Sequence, residues 1–289
     1  MVRARAAAAV VAFLAGSTPA QKIDVGQWSY GLAAAGGSIW VGGLSAGDVI
    51  RIDPRRGNEL GRAGVGPRIF NLAVGRGAVW AVSNALDTLT RIDTRTGKAA
   101  RPLQVGAAPY DAAWGFGSVW VSNSGDGTVW RITDGKVVKR LRVGIEPNGL
   151  TAYRGSVWVS DHTGGELIRI DPRTNRVSGS VKLAGADWIT GFGHSLYVSQ
   201  ETDHVARVDV RTMKVLGSAE VARNPLGSAI VGGELWVPCI DANEIDIVDP
   251  ATMKVVARKA AGPGPIVVLP AFGHVWVSHT GGDSIWRFS

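Results

Sequence analysis

The stretch Gly117-Ser118-Val119-Trp120-Val121-Ser122-Asn123, followed by Arg131-Ile132, is one copy of a unit that returns seven times in the 289-residue chain. Aligned on its aromatic residue, the copies give Trp40, Trp80, Trp120, Trp158, Tyr197, Trp236 and Trp276. The steps are 40, 40, 38, 39, 39 and 40 residues. A second ladder keeps the same register. Arg51, Arg91, Arg131, Arg169, Ile247 and Arg287 lie eleven residues after their anchors, and Arg207 lies ten after Tyr197. Two ladders in step over this length mark a repeat architecture with a period of about 40 residues.

Each unit reads as four short strands. In the third these are DAAWG, SVWVSN, TVWRIT and KVVKRLRVG, runs rich in Val, Ile and Trp separated by Gly, Asn, Asp and Thr. Four-stranded units of this length, seven in number, predict an all-β fold, a seven-bladed β-propeller of antiparallel blades. The anchor aromatic is expected between blades, where a large ring buries much area. Turns such as IDPRRGNE, IDTRTGKA and IDPRTNRV join the third and fourth strands. Asp can bond the turn backbone there, Pro presets φ, and Gly or Asn accepts positive φ. The glycine pairs before each anchor turn strand one into strand two, and no helix follows to make them a nucleotide loop.

The two ends of the chain complement each other. The last unit stops at IWRFS, its third strand, and Lys22–Gly26 resembles the missing fourth. Laying this segment beside the C-terminal strand would complete the seventh blade and remove both exposed edges. Residues 1–20 stand apart, leaving 21–289 as one propeller domain. Arg3 and Arg5 precede an apolar run, Ala6 to Gly16, and a small-residue site, Ser17 to Ala20. This is the pattern of a secretory signal peptide cleaved after Ala20, and an uncleaved anchor is the alternative. The mature protein is expected to be secreted, periplasmic or held at the cell surface, with no membrane span, as a monomer.

Cys239 is the single cysteine, so no internal disulfide can form, and a buried structural thiol is expected. The net charge is +7; removing Arg3 and Arg5 leaves 29 basic against 24 acidic residues, or +5. Much of this charge sits in the turns between strands three and four: Arg55, Arg56, Arg95, Lys98, Arg173, Arg176, Arg211, Lys214 and Lys254. In a propeller these turns share one face, which is either a solvated rim or a dock for an anionic polymer. His194 and His274, in the turns between strands one and two, are expected to face solvent on the same side.

The opposite face collects the loops that enter strand one and those between strands two and three, where ligand sites are expected around the axis. Ten residues before the anchors lie Tyr30, Phe70, Tyr110, Asn148, Asp187, Leu226 and Ile266; nine before, Asp111 and Trp188 stand out. Three after the anchors come Gly43, Ser83, Asn123, Asp161, Gln200, Cys239 and His279. Variety at fixed repeat positions is what a binding face would show, and also what drifting loop residues would show. HTGG occurs twice, at His162 and His279, in blades nearly across the ring. The candidate ligand-binding set is therefore Tyr30, Phe70, Tyr110, Asp111, Asn123, Asp161, His162, Trp188, Gln200 and His279. There is no HExxH and no EF-hand loop.

The pattern GSVWVSN…RIDPxTGKV…VGxxP resembles the YVTN/NHL-type propeller repeats and, over roughly Lys22 to Ser289, the virginiamycin B lyase family. That second resemblance implies opening of a cyclic depsipeptide ester by elimination, with a divalent metal held by glutamates and a histidine as base. Propeller lactonases, a related resemblance, imply a metal on the axis held by Glu, Asn and Asp. The matching tetrapeptides WVSN, WVSD, YVSQ, WVPC and WVSH supply no glutamate; Asn123, Asp161 and Gln200 stand in its place. No catalytic residue carries over. Three functions follow: a non-catalytic exported propeller binding a small molecule, peptide or glycan at its mouth; a lyase or lactonase with Mg or Ca on the axis; or a dock for an anionic polymer.

Overall fold

The computed structural model describes residues 20–289, and the leader reading falls almost wholly outside them. The chain is a seven-bladed β-propeller, each blade a four-stranded antiparallel sheet, in consecutive order in all but the seventh. Strands a to d run from the axis to the rim. In blade 3 they are Pro109–Gly115, Ser118–Asn123, Thr128–Thr133 and Lys136–Arg142. A single 3-10 turn, Ile240–Ala242, is the only helical element among the described residues. None of the helices there is long and apolar enough to cross a membrane.

The seventh blade closes as the ends of the chain require. Gln21–Asp24 pairs antiparallel with Ser284–Phe288, matching Ile23 to Ile285 and Lys22 to Trp286. Val25 N–H then donates to Asp283 O at 2.8 Å. Every blade thus has four strands, and the ring is stitched by its first and last segments.

The two ladders meet as direct cross-strand pairs. Trp40 faces Arg51, Trp80 faces Arg91, Trp120 faces Arg131, Trp158 faces Arg169, and Trp276 faces Arg287. Each anchor ring lies between its own blade and the next: Trp40 packs with Leu72, Val79 and Ile92, and Trp120 with Leu150, Val157 and Ile170. Five anchor indoles donate Nε1–H to the carbonyl five residues earlier, as Trp40 does to Ala35 at 3.0 Å. An indole so placed removes on the order of 200 Å² from water, about 5 kcal/mol of gross apolar burial.

The arginines join blades at the rim. Arg131 lies over the Trp120 ring at 5.0 Å, and its NH1 donates to Pro172 O and Asn175 Oδ1 in the c–d turn of blade 4. Arg207 reaches Ala251 O in blade 6. Arg287 reaches Arg55 O in blade 1 across the closure. The acceptor turns are held by aspartates: Asp53 Oδ1 accepts from Arg55 and Arg56 N–H, and Asp209 Oδ1 from Arg211 and Thr212 N–H. These backbone bonds hold the exposed carboxyls of both residues below the usual range.

Candidate functional site

At the mouth of the propeller the innermost strands carry a repeated register shift, at Ser29/Leu32, Pro109/Asp111, Pro147/Leu150, Ala186/Ile189 and Pro265/Val268. Such bulges re-aim side chains toward a site. The serine two residues after the anchor joins one bulge to the next blade. Ser122 Oγ donates to Asn148 O, Ser160 Oγ to Asp187 O and Ser278 Oγ to Tyr30 O, each at 2.5 Å, and Ser199 Oγ to Leu226 O at 2.9 Å. The acceptors are the residues ten before the anchors, so the mouth is laced by these hydroxyls. Gly42, Val82 and Pro238 break the ring of serines in blades 1, 2 and 6.

The lacing divides the mouth into two halves. On blades 1 to 3, Tyr30 and Phe70 meet edge to face at 5.2 Å, and Phe70 meets Tyr110 at 5.2 Å. The Tyr30 and Tyr110 hydroxyls are 3.3 Å apart. Tyr30 is buried with Leu226 and Ile266, and Phe70 and Trp188 pack on that cluster from its edge. Aromatic side chains therefore close over the axis instead of lining an open rim, and burial pushes the pKa of both tyrosines up.

On blades 3 to 5 the mouth is polar. Asp187 and Asn148 are buried, and each keeps an Oδ1 that hydrogen-bonds no protein group. Burial raises the Asp187 pKa to about 7; His162 and the Asn148 side chain oppose the shift, while Glu146 and Glu201 add to it. His162 Nε2 lies 3.1 Å from Glu201 Oε2. Its enclosed Nδ1 lies 3.5 Å from Glu146 Oε2, outside hydrogen-bonding geometry. Glu146 and Glu201 were not among the sequence candidates, because they lie off the anchor-centred positions and only loop folding brings them to His162.

The remaining candidates serve the loops. Asp111 ties three blades together: it accepts from Asn71 Nδ2 at 2.5 Å and from Leu150 N–H at 2.7 Å, and burial raises its pKa to about 7. Asp161 accepts from the N–H of Ile145, Glu146 and Gly164. Asn123 is fully buried and bonds Thr128 Oγ1 at 3.1 Å; Gln200 bonds Ala184 O at 2.7 Å. His279 is fully buried against Trp286, with its ring nitrogens on Ser284 O and Ala261 O, and burial lowers its pKa. The structure thus brings together Tyr30, Phe70, Tyr110, Trp188 and His162 at the mouth. It turns Asn123, Asp161, Gln200 and His279 toward the loop arriving from the previous blade or the loop of their own. The variety at those positions follows from the differing loops each must satisfy.

This arrangement does not fit the divalent cation that the lyase and lactonase resemblances imply. Among the described residues no three His, Cys, Asp or Glu side chains group as metal ligands, and both Asp161 oxygens already accept backbone N–H groups. Cys239 is buried and its thiol pushed up to about 12, which suits a structural role. On the opposite face His194 is exposed as expected, but His274 is half-buried, set edge-on to Trp276 with Nδ1 enclosed. Gly43-Leu44-Ser45-Ala46-Gly47 also matches the GxSxG pattern, yet it forms the b–c connection of blade 1, with no strand–turn–helix elbow to activate Ser45.

The class of protein so defined is a closed seven-bladed propeller with a laced mouth, half aromatic and half acidic. No protein-family model matches the chain, and no curated protein matches it. Among solved structures it is similar to hydrazine synthase of Kuenenia stuttgartiensis, with a TM-score of 0.79 and 14% identity over 96% of this chain and 98% of that one. It is also similar to BamB from Moraxella catarrhalis, with a TM-score of 0.64 and 17% identity over 88% and 80% of the two chains. At these identities the likeness is one of fold.

Proposed function

We propose that this chain is an exported, non-catalytic propeller that binds a small molecule, peptide or glycan at the mouth, through a donor-rich, cationic group. One observation carries the reading: Asn148 Oδ1 and Asp187 Oδ1 are buried acceptors with no protein donor in good hydrogen-bonding geometry, the Asn148 side chain being the one donor that approaches the Asp187 carboxyl, and both are set among Glu146, Glu201 and His162. Buried acceptors left unpaired cost stability, so their persistence favours a ligand donor. The neighbouring Trp188 and the Tyr30–Phe70–Tyr110 trio supply an apolar wall beside the carboxylates. An ammonium on an aromatic or aliphatic body matches both halves. The test is a thermal-shift and calorimetric screen of primary amines, tryptamine among them. Binding should weaken at least tenfold in Asp187→Asn and in Trp188→Ala; unchanged affinity in both variants would remove the mouth as the site. Export is tested by sequencing the N-terminus of protein recovered outside the cytoplasm.

A lyase or lactonase is the second reading. It is favoured by the approach of His162 Nε2 to within 3.1 Å of Glu201 Oε2, which sets a carboxylate beside the imidazole of a candidate base. Opening of a cyclic ester that is lost in His162→Gln would support it, and no turnover of any such ester would end it.

A further inference from the structure

Between blades 2 and 3 the regular rim fails, for two reasons visible in the chain. The outer strand of blade 2 is only Leu103–Gln104, whereas blade 3 has Lys136–Arg142. Ala100 N–H still donates to Arg91 O at 2.8 Å, but Pro102 has no N–H to donate to the ladder, and Arg101 and Pro102 depart from the sheet. The c–d turn of blade 3 is also the shortest, a two-residue Asp134-Gly135 hairpin with φ of 50° and 74°. It meets blade 2 through Asp134, which pairs with Arg76, and presents no carbonyl to Arg91. Arg91, the ladder arginine here, therefore lacks the acceptors that Arg131, Arg207 and Arg287 find, and its guanidinium meets only Asp93, at 3.9 Å.

The result is a groove of about 760 Å³ at the rim, within the range of small-molecule sites. Trp114 forms one wall. At its place in strand a the other blades carry Ala, Val, Gly, Ile or Pro. Its ring lies over Gly75, where a Cβ would meet the indole at 2.0 Å, and stacks on Trp80 with centroids 6.4 Å apart and planes 13° apart. Arg76, Arg91 and Arg101 line the same groove, against one carboxylate, that of Asp134, which pairs with Arg76.

We propose that this groove is a second binding site, separate from the mouth, for a small aromatic carboxylate. The tryptophan pair offers a flat apolar surface, and a planar guanidinium left free of the blade staple offers a fork for the carboxylate. Three cations, against Asp134 in the lining and Asp93 beside Arg91, leave the groove net positive and set the sign of the ligand.

The probe is 2-naphthoate, titrated into the full chain by calorimetry, with neutral 2-naphthamide as the control. Saturable binding is expected, at least tenfold weaker for the amide and at least tenfold weaker in Arg91→Gln and in Trp114→Ala. Arg101→Gln gives a second variant on an exposed side chain should Trp114→Ala fail to fold. The mouth variant Trp188→Ala should bind naphthoate as the native chain does, which separates this site from the mouth. No saturation, equal affinity for the amide, or indifference to both arginine substitutions would overturn the proposal. So would loss of binding in Trp188→Ala, which places the ligand at the mouth. A dimer in sedimentation that Arg91→Gln dissolves would overturn it too, making the groove an interface between copies.

Discussion

At the scale of single residues, the loop-holding side chains explain more of the stability than their exposure suggests. Asp161 is buried and accepts from three backbone N–H groups on two loops. Asp161→Ala would strand those donors, and a loss of about 2–3 kcal/mol is expected, read as a lower urea midpoint at unchanged slope. Trp120→Ala should cost about 3–5 kcal/mol, since the fully buried ring leaves a cavity between blades 3 and 4. Asp187 ties stability to pH. Its folded pKa is raised to about 7, against about 4 in the unfolded chain, so in that window the folded state keeps a proton the unfolded state has lost. Stability is therefore expected to fall as pH rises from about 4 to about 7, and Asp111 acts in the same direction. Asp187→Asn should flatten this dependence in thermal melts at the two pH values; an unchanged slope would show that the carboxyl titrates normally. The turn aspartates act oppositely, with lowered pKa values, and their contribution is lost only as pH falls below the usual carboxylate range.

At the scale of elements, the arginine ladder gives an internal comparison. Arg131 stacks on Trp120 and donates to two groups of the next blade, while Arg91 does neither. Arg131→Ala should therefore cost about 1–3 kcal/mol and Arg91→Ala under about 0.5, measured by chemical denaturation. Equal costs would mean the arginines act through their stems alone. The c–d turns show how far local chemistry was readable. Gly57, Gly97 and Asn175 take the positive φ their residue type allows. Met213 and Met253 take it as well, at 58° and 56°, which no turn rule anticipates. Their side chains explain it: Met253 is buried in the blade 5–6 interface, and Met213 packs on the cluster of the interface before it. Packing outweighs a local backbone cost of about 1–2 kcal/mol.

For the molecule as a whole, closure is the decisive event, because it joins residues 21–24 to residues 284–287. Ile23→Asp would place a charge in a buried position beside Ile285, and a loss of cooperative unfolding is expected, seen as blade 7 opening first in hydrogen exchange. The nine turn cations are all exposed on the face away from the mouth. If that face docks an anionic polymer, heparin binding should fall steeply with salt and vanish when Arg55, Arg56 and Arg95 become Glu; binding that survives the reversal would dismiss the idea.

The amino-acid sequence by itself determined the blade number, the strands of the third blade within two residues, the common register of anchors and arginines, and the closing strand. These features are periodic, and a period is legible without any knowledge of contacts. Only the tertiary structure decided which mouth residues meet. The anchor-centred ladders place Asn123, Asp161 and His279 at the entrance, yet loop curvature turns Asp161 and His279 inward to backbone groups and Asn123 to the Thr128 hydroxyl. The same curvature carries Glu146 and Glu201, which belong to no ladder, against His162. Trp114 and Pro102 likewise read as exceptions within their own blades, and they define a groove only because folding sets blade 2 against blade 3. Repetition fixes where strands go, whereas a site forms where the repetition lapses in several blades at once, and such coincidence exists only in space.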